Sequence, residues 1–230
     1  MKHSEYFIKA RLFPTILTSI PILCLYYFAI GKDLESFITF LSEIKWIGNV
    51  TISAAIVFAF VQINRFTSKE LFQRFYFKDE IEMPTTKYLL IDNSFFASHI
   101  KDKIRLKIAS DFEIQLLDEH AEKDNPIEAK KVIVSAVSRI RNSTRNNKMI
   151  LQHNIEYGFV RNLIGGSLIA VIISSINLFV FSKLIQTPLA FKISLATLVL
   201  YIFPILLSKF VITKYGHYYA KTLFEQYLNS

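Results

Sequence analysis

Four apolar runs, residues 12–30, 47–63, 163–181 and 189–210, constrain this chain more than any other feature. Each is long enough to cross a hydrocarbon core, which takes about 17–25 helical residues. Within lipid, a backbone N–H or C=O finds no water, so each run is expected to be a helix that closes its own hydrogen bonds. Composition agrees. Over 230 residues the chain is 52% hydrophobic, more than a soluble domain of this size needs for a core, and its 21 phenylalanines against one tryptophan point to lipid-facing surface. The first run is too long for a signal-peptide apolar region, and no small-x-small cleavage site follows it, so it is read as a span.

Lysine and arginine set the expected orientation. Lys2, Lys9 and Arg11 precede the first run, and Lys209, Lys214 and Lys221 lie at or beyond the end of the last. The two short connections and their borders carry only Lys32 and Lys45, and Lys183 and Lys192 (the last near the start of the fourth run), whereas residues 65–161 hold 17 basic side chains. Both termini and the middle region are therefore expected on the cytoplasmic side. The expected fold is mainly α: four transmembrane helices, with a mostly helical cytoplasmic domain inserted between spans two and three. In sequence, this divides as a first hairpin (1–66), the inserted domain (67–160), a second hairpin (161–212) and a cytoplasmic tail (213–230).

The inserted region is long enough for a small domain rather than a loop. Its charge is uneven. Residues 65–129 carry 10 basic and 13 acidic side chains, whereas 130–161 carry seven basic and only Glu156. Met83-Pro84 breaks the outward continuation of span two. KYLLI (87–91) and the alternating FEIQL (112–116) are candidate paired strands. Between them, Asn93-Ser94 can cap a helix running to about Ala109, with Phe96, Ile100, Ile104 and Ile108 on one face. LDEHAEKDN reads as a polar loop.

The clearest soluble helix follows it, capped by Asp124 or Asn125 with Pro126 in the first turn. Ala129, Ile133, Ala136, Val137 and Ile140 make its apolar stripe, while Lys131, Ser138, Arg141 and Arg145 lie opposite. That basic face is either a solvated surface, a contact for anionic headgroups or a phosphate-binding surface. From Asn147 to Phe181 nothing forbids one continuous helix, joining the inserted domain directly to span three.

Catalytic chemistry is not indicated, so the chain is not read as an enzyme. The single cysteine, Cys24, excludes an internal disulfide and a cysteine zinc site, and it reads as a small buried hydrophobe. His153 and Glu156 lack the second histidine–carboxylate partner that a helical metal site uses, and His120 stands among acids in a polar stretch. Gly165-Gly166 lacks the lysine of a phosphate loop. Neither a metal nor a cofactor is therefore expected. In the spans, Asn49, Ser53, Ser174 and Asn177 are polar, and serve either to join helices or to face water in a pore. No charge lies deep in any run and no inverted repeat is evident, which argues against a transporter.

MPTTKYLL, KIASDFEIQL and LQHNIEYGFVRNLIGGS, within residues 83–167, resemble a family of bacterial membrane proteins that carries no assigned activity. The arginine–asparagine pairs at 141–142, 145–146 and 161–162 are similar to the basic motif of helical ribonuclease domains, but His153 lies farther from Arg145 than that motif allows. In architecture, four spans around a basic cytosolic sensor resemble the membrane effectors of nucleotide-signalling antiphage systems. There a partner nucleotidyltransferase makes a cyclic or linear oligonucleotide and the effector permeabilises the inner membrane.

That resemblance implies a homo-oligomeric, ligand-gated pore in the bacterial inner membrane, with no duplex nucleic acid involved. Lys131, Arg141, Arg145 and Lys148 would hold the anionic signal, with His153 or Tyr157 stacking on a base. Asn154, Glu156 and Arg161 would couple the domain to span three, and Asn49, Ser53, Ser174 and Asn177 would line the pore. The alternative is a non-conducting anchor or scaffold that recruits a cytosolic protein.

Overall fold

The computed structural model describes residues 2–31, 49–70, 75–78 and 80–230; the side chains of residues 2–3 and 49–53 are outside the description. The described residues are mainly helical and contain no strand. They form two compact units, one made of Met1–Lys69 and Phe159–Ser208, the other of Glu70–Gly158 and Lys209–Ser230.

Two helical stretches, Lys148–Leu184 and Pro188–Leu206, are long and apolar enough to cross a membrane; the first begins in the second unit and continues from Phe159 in the first. A third candidate is the pair Ser4–Thr18 and Ile20–Ile30, bent by 42°. The expected span at 47–63 is not among these candidates. Residues 47 and 48 lie outside the described part, and the chain from there on forms the helix Asn49–Lys69.

The bend sits where Pro21 enters the helix. Proline has no N–H, so the carbonyl four residues before it loses its usual donor. For Pro14 that carbonyl belongs to Ala10, and for Pro21 to Leu17. Each receives a side-chain donor from another helix: Asn162 Nδ2 donates to Ala10 O at 2.5 Å, and the Tyr201 hydroxyl donates to Leu17 O. An orphaned carbonyl in an apolar unit is costly, and neighbouring helices commonly re-satisfy it. The backbone adjusts as well, through π-helical turns at Ile8–Leu12, Tyr26–Ile30 and Val180–Leu184.

Asn162→Leu is therefore expected to destabilise the protein by about 1–3 kcal/mol, the cost of stranding a buried acceptor. In a Pro14→Ala background the restored N–H serves Ala10 O and the same change should cost little. Unfolding in detergent would give the four-way cycle, and an equal loss in both backgrounds would refute this pairing.

Glycine sets the closest approach. A Cβ at Gly165 would lie 2.7 Å from Ser68 Cα, and one at Gly166 would lie 2.3 Å from Thr18 Oγ1. The GGS that opens the 163–181 run thus lets the Asn49–Lys69 and Phe13–Thr18 helices come close to backbone distance.

The second unit packs around Ile104, Ile108, Ile133, Val137, Leu223 and Phe224. Within Pro126–Ser143, Ala129, Ile133, Ala136, Val137 and Ile140 are all buried, as the periodicity predicts. Ile104 and Ile108 of Ser98–Phe112 are buried too, with Phe96 and Ile100 packed beside them. Four segments differ from the sequence reading. KYLLI is not a strand: Pro84–Lys87 is a helical turn, and the carbonyls beyond it are taken by side chains. FEIQL pairs with nothing among the described residues. It leaves the helix through Glu113 at φ 58, and its alternation only turns Ile114 and Leu116 toward the core.

LDEHAEKDN is partly helical, because the Asp118 carboxylate caps Glu119–Asp124 by accepting from the Ala121 N–H at 2.9 Å. Most of 213–230, read as a tail, belongs to the helix Ser208–Leu228, whose Ala220, Leu223, Phe224 and Tyr227 are core residues.

Candidate functional site

Amphipathic folding of Pro126–Ser143 presents its charged side outward, and the structure divides the cations there into two groups. Lys131, Arg139, Arg145 and Lys148 are exposed. Lys131 has Glu128 at 3.9 Å, one turn away, a surface pair that contributes little. Lys130 and Arg141 are turned into the unit instead. Lys130 Nζ donates to Glu82 at 2.8 Å. Hydrogen bonds from Lys130 and then from Lys87 hold the Glu82 carboxyl down to about 2, so it is ionised at neutral pH.

Arg141 meets Glu80 at 2.7 Å, lies near Thr85 Oγ1 and Met83 Sδ, and stands over the Tyr219 ring at 5.9 Å. Within the expected ligand-binding set, Arg141 is thus the member already ion-paired inside the unit. The guanidinium is a brace between the 80–85 turn and Tyr219, and the sequence could not show this because Glu80 is 61 residues away. Arg139, which the sequence reading left aside, is on the exposed side in its stead.

The remaining candidates lie along the 32-residue helix Lys148–Phe179. His153 and Tyr157 are half-buried, with His153 Nδ1 at 3.8 Å from Glu156. Gln152 also donates to Glu156, at 3.2 Å. Asn154 hydrogen-bonds Tyr219, which links it to the same local group as Arg141. Arg161 falls in the first unit, within electrostatic reach of Arg11.

Of the expected pore-lining residues, Asn49 and Ser53 lie outside the described side chains. Ser174 and Asn177 are fully buried. Ser174 Oγ is 3.0 Å from Thr197 Oγ1, and Asn177 Nδ2 donates to Pro21 O at 2.8 Å. Both join helices within one chain, and both are buried there. Among the described residues, no three His, Cys, Asp or Glu side chains converge as a metal site would require.

A second aromatic group escaped sequence reading. Tyr88 stacks on exposed Phe95 at 3.7 Å and hydrogen-bonds His217. Burial pushes the Tyr88 hydroxyl up to about 12; burial and then Lys87 lower the pKa of His217, which favours the neutral imidazole. The signal was the run YLLIDNSFF, but its partner His217 lies 129 residues away.

No family model, curated protein or solved structure matches this chain.

Proposed function

We propose that this chain is a multi-pass membrane effector in which a cytoplasmic helical domain senses an anionic ligand and acts on the membrane-embedded part. The observation that carries this reading is the single helix Lys148–Phe179, whose first turns belong to the polar unit and whose remainder belongs to the apolar one. A ligand that orders the start of such a helix can be transmitted as tilt or rotation of the rest.

In this reading the protein has four spans, with both termini and the 67–160 region in the cytoplasm of a bacterium. It assembles as a homo-oligomer and opens an ion-conducting pore when a cyclic or linear oligonucleotide binds, a role suited to antiphage defence. Lys131, Arg145 and Lys148, the exposed members of the expected set, hold the phosphates, with Arg139 beside them. The second reading is a non-conducting anchor that recruits a cytosolic protein. The burial of Ser174 and Asn177 favours it, since a conducting path then needs other residues.

The test is ion flux from neutral-lipid vesicles holding the purified protein, during addition of short cyclic and linear oligonucleotides. Flux with one of them, abolished by Lys131→Glu, Arg145→Glu and Lys148→Glu together, supports the gated effector. Silence across the panel, with stable capture of a cytosolic protein, supports the anchor. Arg141 is left intact because reversing it would set a second carboxylate against Glu80.

A further inference from the structure

Three arginines stand at the ends of three apolar runs: Arg11 just before 12–30, Arg65 just after 47–63 and Arg161 just before 163–181. The first unit ties these ends together. Asn162, next to Arg161, bonds Ala10 O, next to Arg11. Asn64, next to Arg65, donates to Thr15 Oγ1 at 2.8 Å, and Thr15 donates in turn to Arg11 O at 2.8 Å. The near-contact at Gly165 brings Ser68, one turn past Arg65, against the helix that carries Arg161.

Arg65 and Arg161 are both close enough to Arg11 to act on its charge. Like charges repel, the more so beside apolar surface. No described carboxylate pairs with Arg11 or Arg65. Arg11 lies over the Tyr6 ring at 5.2 Å, and its Nε is buried without a hydrogen-bond partner. A buried donor without a partner is rare enough in a folded protein to need a physical reason.

We propose that Arg11, Arg65 and Arg161 together bind one phosphate-bearing anion at the end of the apolar helices, in the first instance the headgroup of an anionic phospholipid. Guanidinium suits this chemistry: its planar fork pairs two donors with two phosphate oxygens, and it stays charged against neighbours that would discharge a lysine. Arg11 adds a buried donor, Arg65 an exposed one, and Tyr6 fixes the plane of Arg11. A headgroup is the phosphate that a membrane supplies at the ends of apolar helices, where nearby basic side chains attract it. The site lies wholly in the first unit and rests on the membrane reading alone, so it stands whether or not the other unit senses an oligonucleotide.

Native mass spectrometry of the full chain, released from detergent with graded phosphatidylglycerol or phosphatidylcholine, tests it. The wild type should retain phosphatidylglycerol in preference, and each guanidinium removed should weaken that retention about fivefold. Arg65→Gln is the first variant because its side chain is exposed and its loss spares the packing; Arg65→Lys should recover part of the affinity. Arg11→Gln with Arg65→Gln should lower it further, and Lys123→Ala, at an exposed pair with Glu119, should leave it unchanged. Inorganic phosphate added to the phosphatidylglycerol-loaded protein separates the sources. Displacement at millimolar levels identifies a site for soluble phosphate, and resistance identifies a headgroup site. Equal retention of both lipids by the wild type, or an unchanged preference in folded Arg65→Gln, overturns the proposal.

Discussion

Gly165→Ala is expected to destabilise the apolar unit by at least about 1–3 kcal/mol, although alanine is the better helix former. The added carbon would sit 2.0 Å from Ser68 Oγ and 2.7 Å from both Ser68 Cα and Cβ. A hydroxyl can rotate away, but a Cα cannot, so the two helices must separate. Separation weakens dispersion contacts along the seam and strains the bonds by which Asn64 and Asn162 hold neighbouring helices.

Gly216→Ala is the control. It is also helical, but its nearest neighbour is Pro84 Cγ at 3.4 Å, an ordinary contact. There the backbone entropy saved should dominate and stability should rise by as much as about 1 kcal/mol. Opposite signs for one chemical change would separate a packing effect from helix propensity. Ser68→Gly should partly rescue Gly165→Ala by removing Oγ and Cβ while leaving Cα. The measurement is detergent-titrated unfolding, and a Gly165→Ala protein as stable as the wild type would mean that these helices do not approach so closely.

Local signals in the sequence were legible where the physics is local. The stripe from Ala129 to Ile140 follows from a 3.6-residue period, and the continuity of Lys148–Phe179 follows from the absence of any breaker between its charged and apolar halves. KYLLI misled because short apolar runs carry no periodicity, and what decides their shape is who takes their backbone groups. Here the takers are Lys101 and Arg105, which from sequence look like the solvated side of a helix. A long-range partner also hides the setting of Arg141: a helical wheel places it outward, whereas Glu80 draws it in. The polar residues of the spans were legible as groups that either join helices or face water. Their partners were not, because Pro14 and Pro21 create the vacancies that Asn162 and Tyr201 fill, and that match exists only once the helices are packed.

Glu122→Ala is expected to cost the polar unit about 3–5 kcal/mol, a large share of a typical domain's total stability. Glu122 and Arg105 form a pair at 3.0 Å with side chains only 8% and 14% exposed. The pair is the centre of a larger arrangement. Arg105 also donates to Leu89 O and Leu117 O, while the other Glu122 oxygen accepts from the Ile91 N–H at 2.9 Å. Lys101, itself buried, spends its ammonium on the carbonyls of Leu90, Ile91 and Asn93.

A stretch that would otherwise need a strand partner is thus held by two cations and one carboxylate. Removing Glu122 leaves a guanidinium in a low-dielectric setting with only dipoles to balance it, and frees the Ile91 N–H at the same time. Arg105→Met should be comparably damaging, because it strands the carboxylate. Arg105→Met with Glu122→Leu should cost less than the two single losses added together, since no unpaired charge then remains. Glu119 and Lys123 form the comparison pair on the same short helix, 66% and 71% exposed, and Lys123→Ala should change stability by no more than about 0.5 kcal/mol. Thermal unfolding ranks the variants, and hydrogen exchange at residues 87–93 locates the damage. Slow exchange there in folded Glu122→Ala would show that this segment is held by something other than the buried charges.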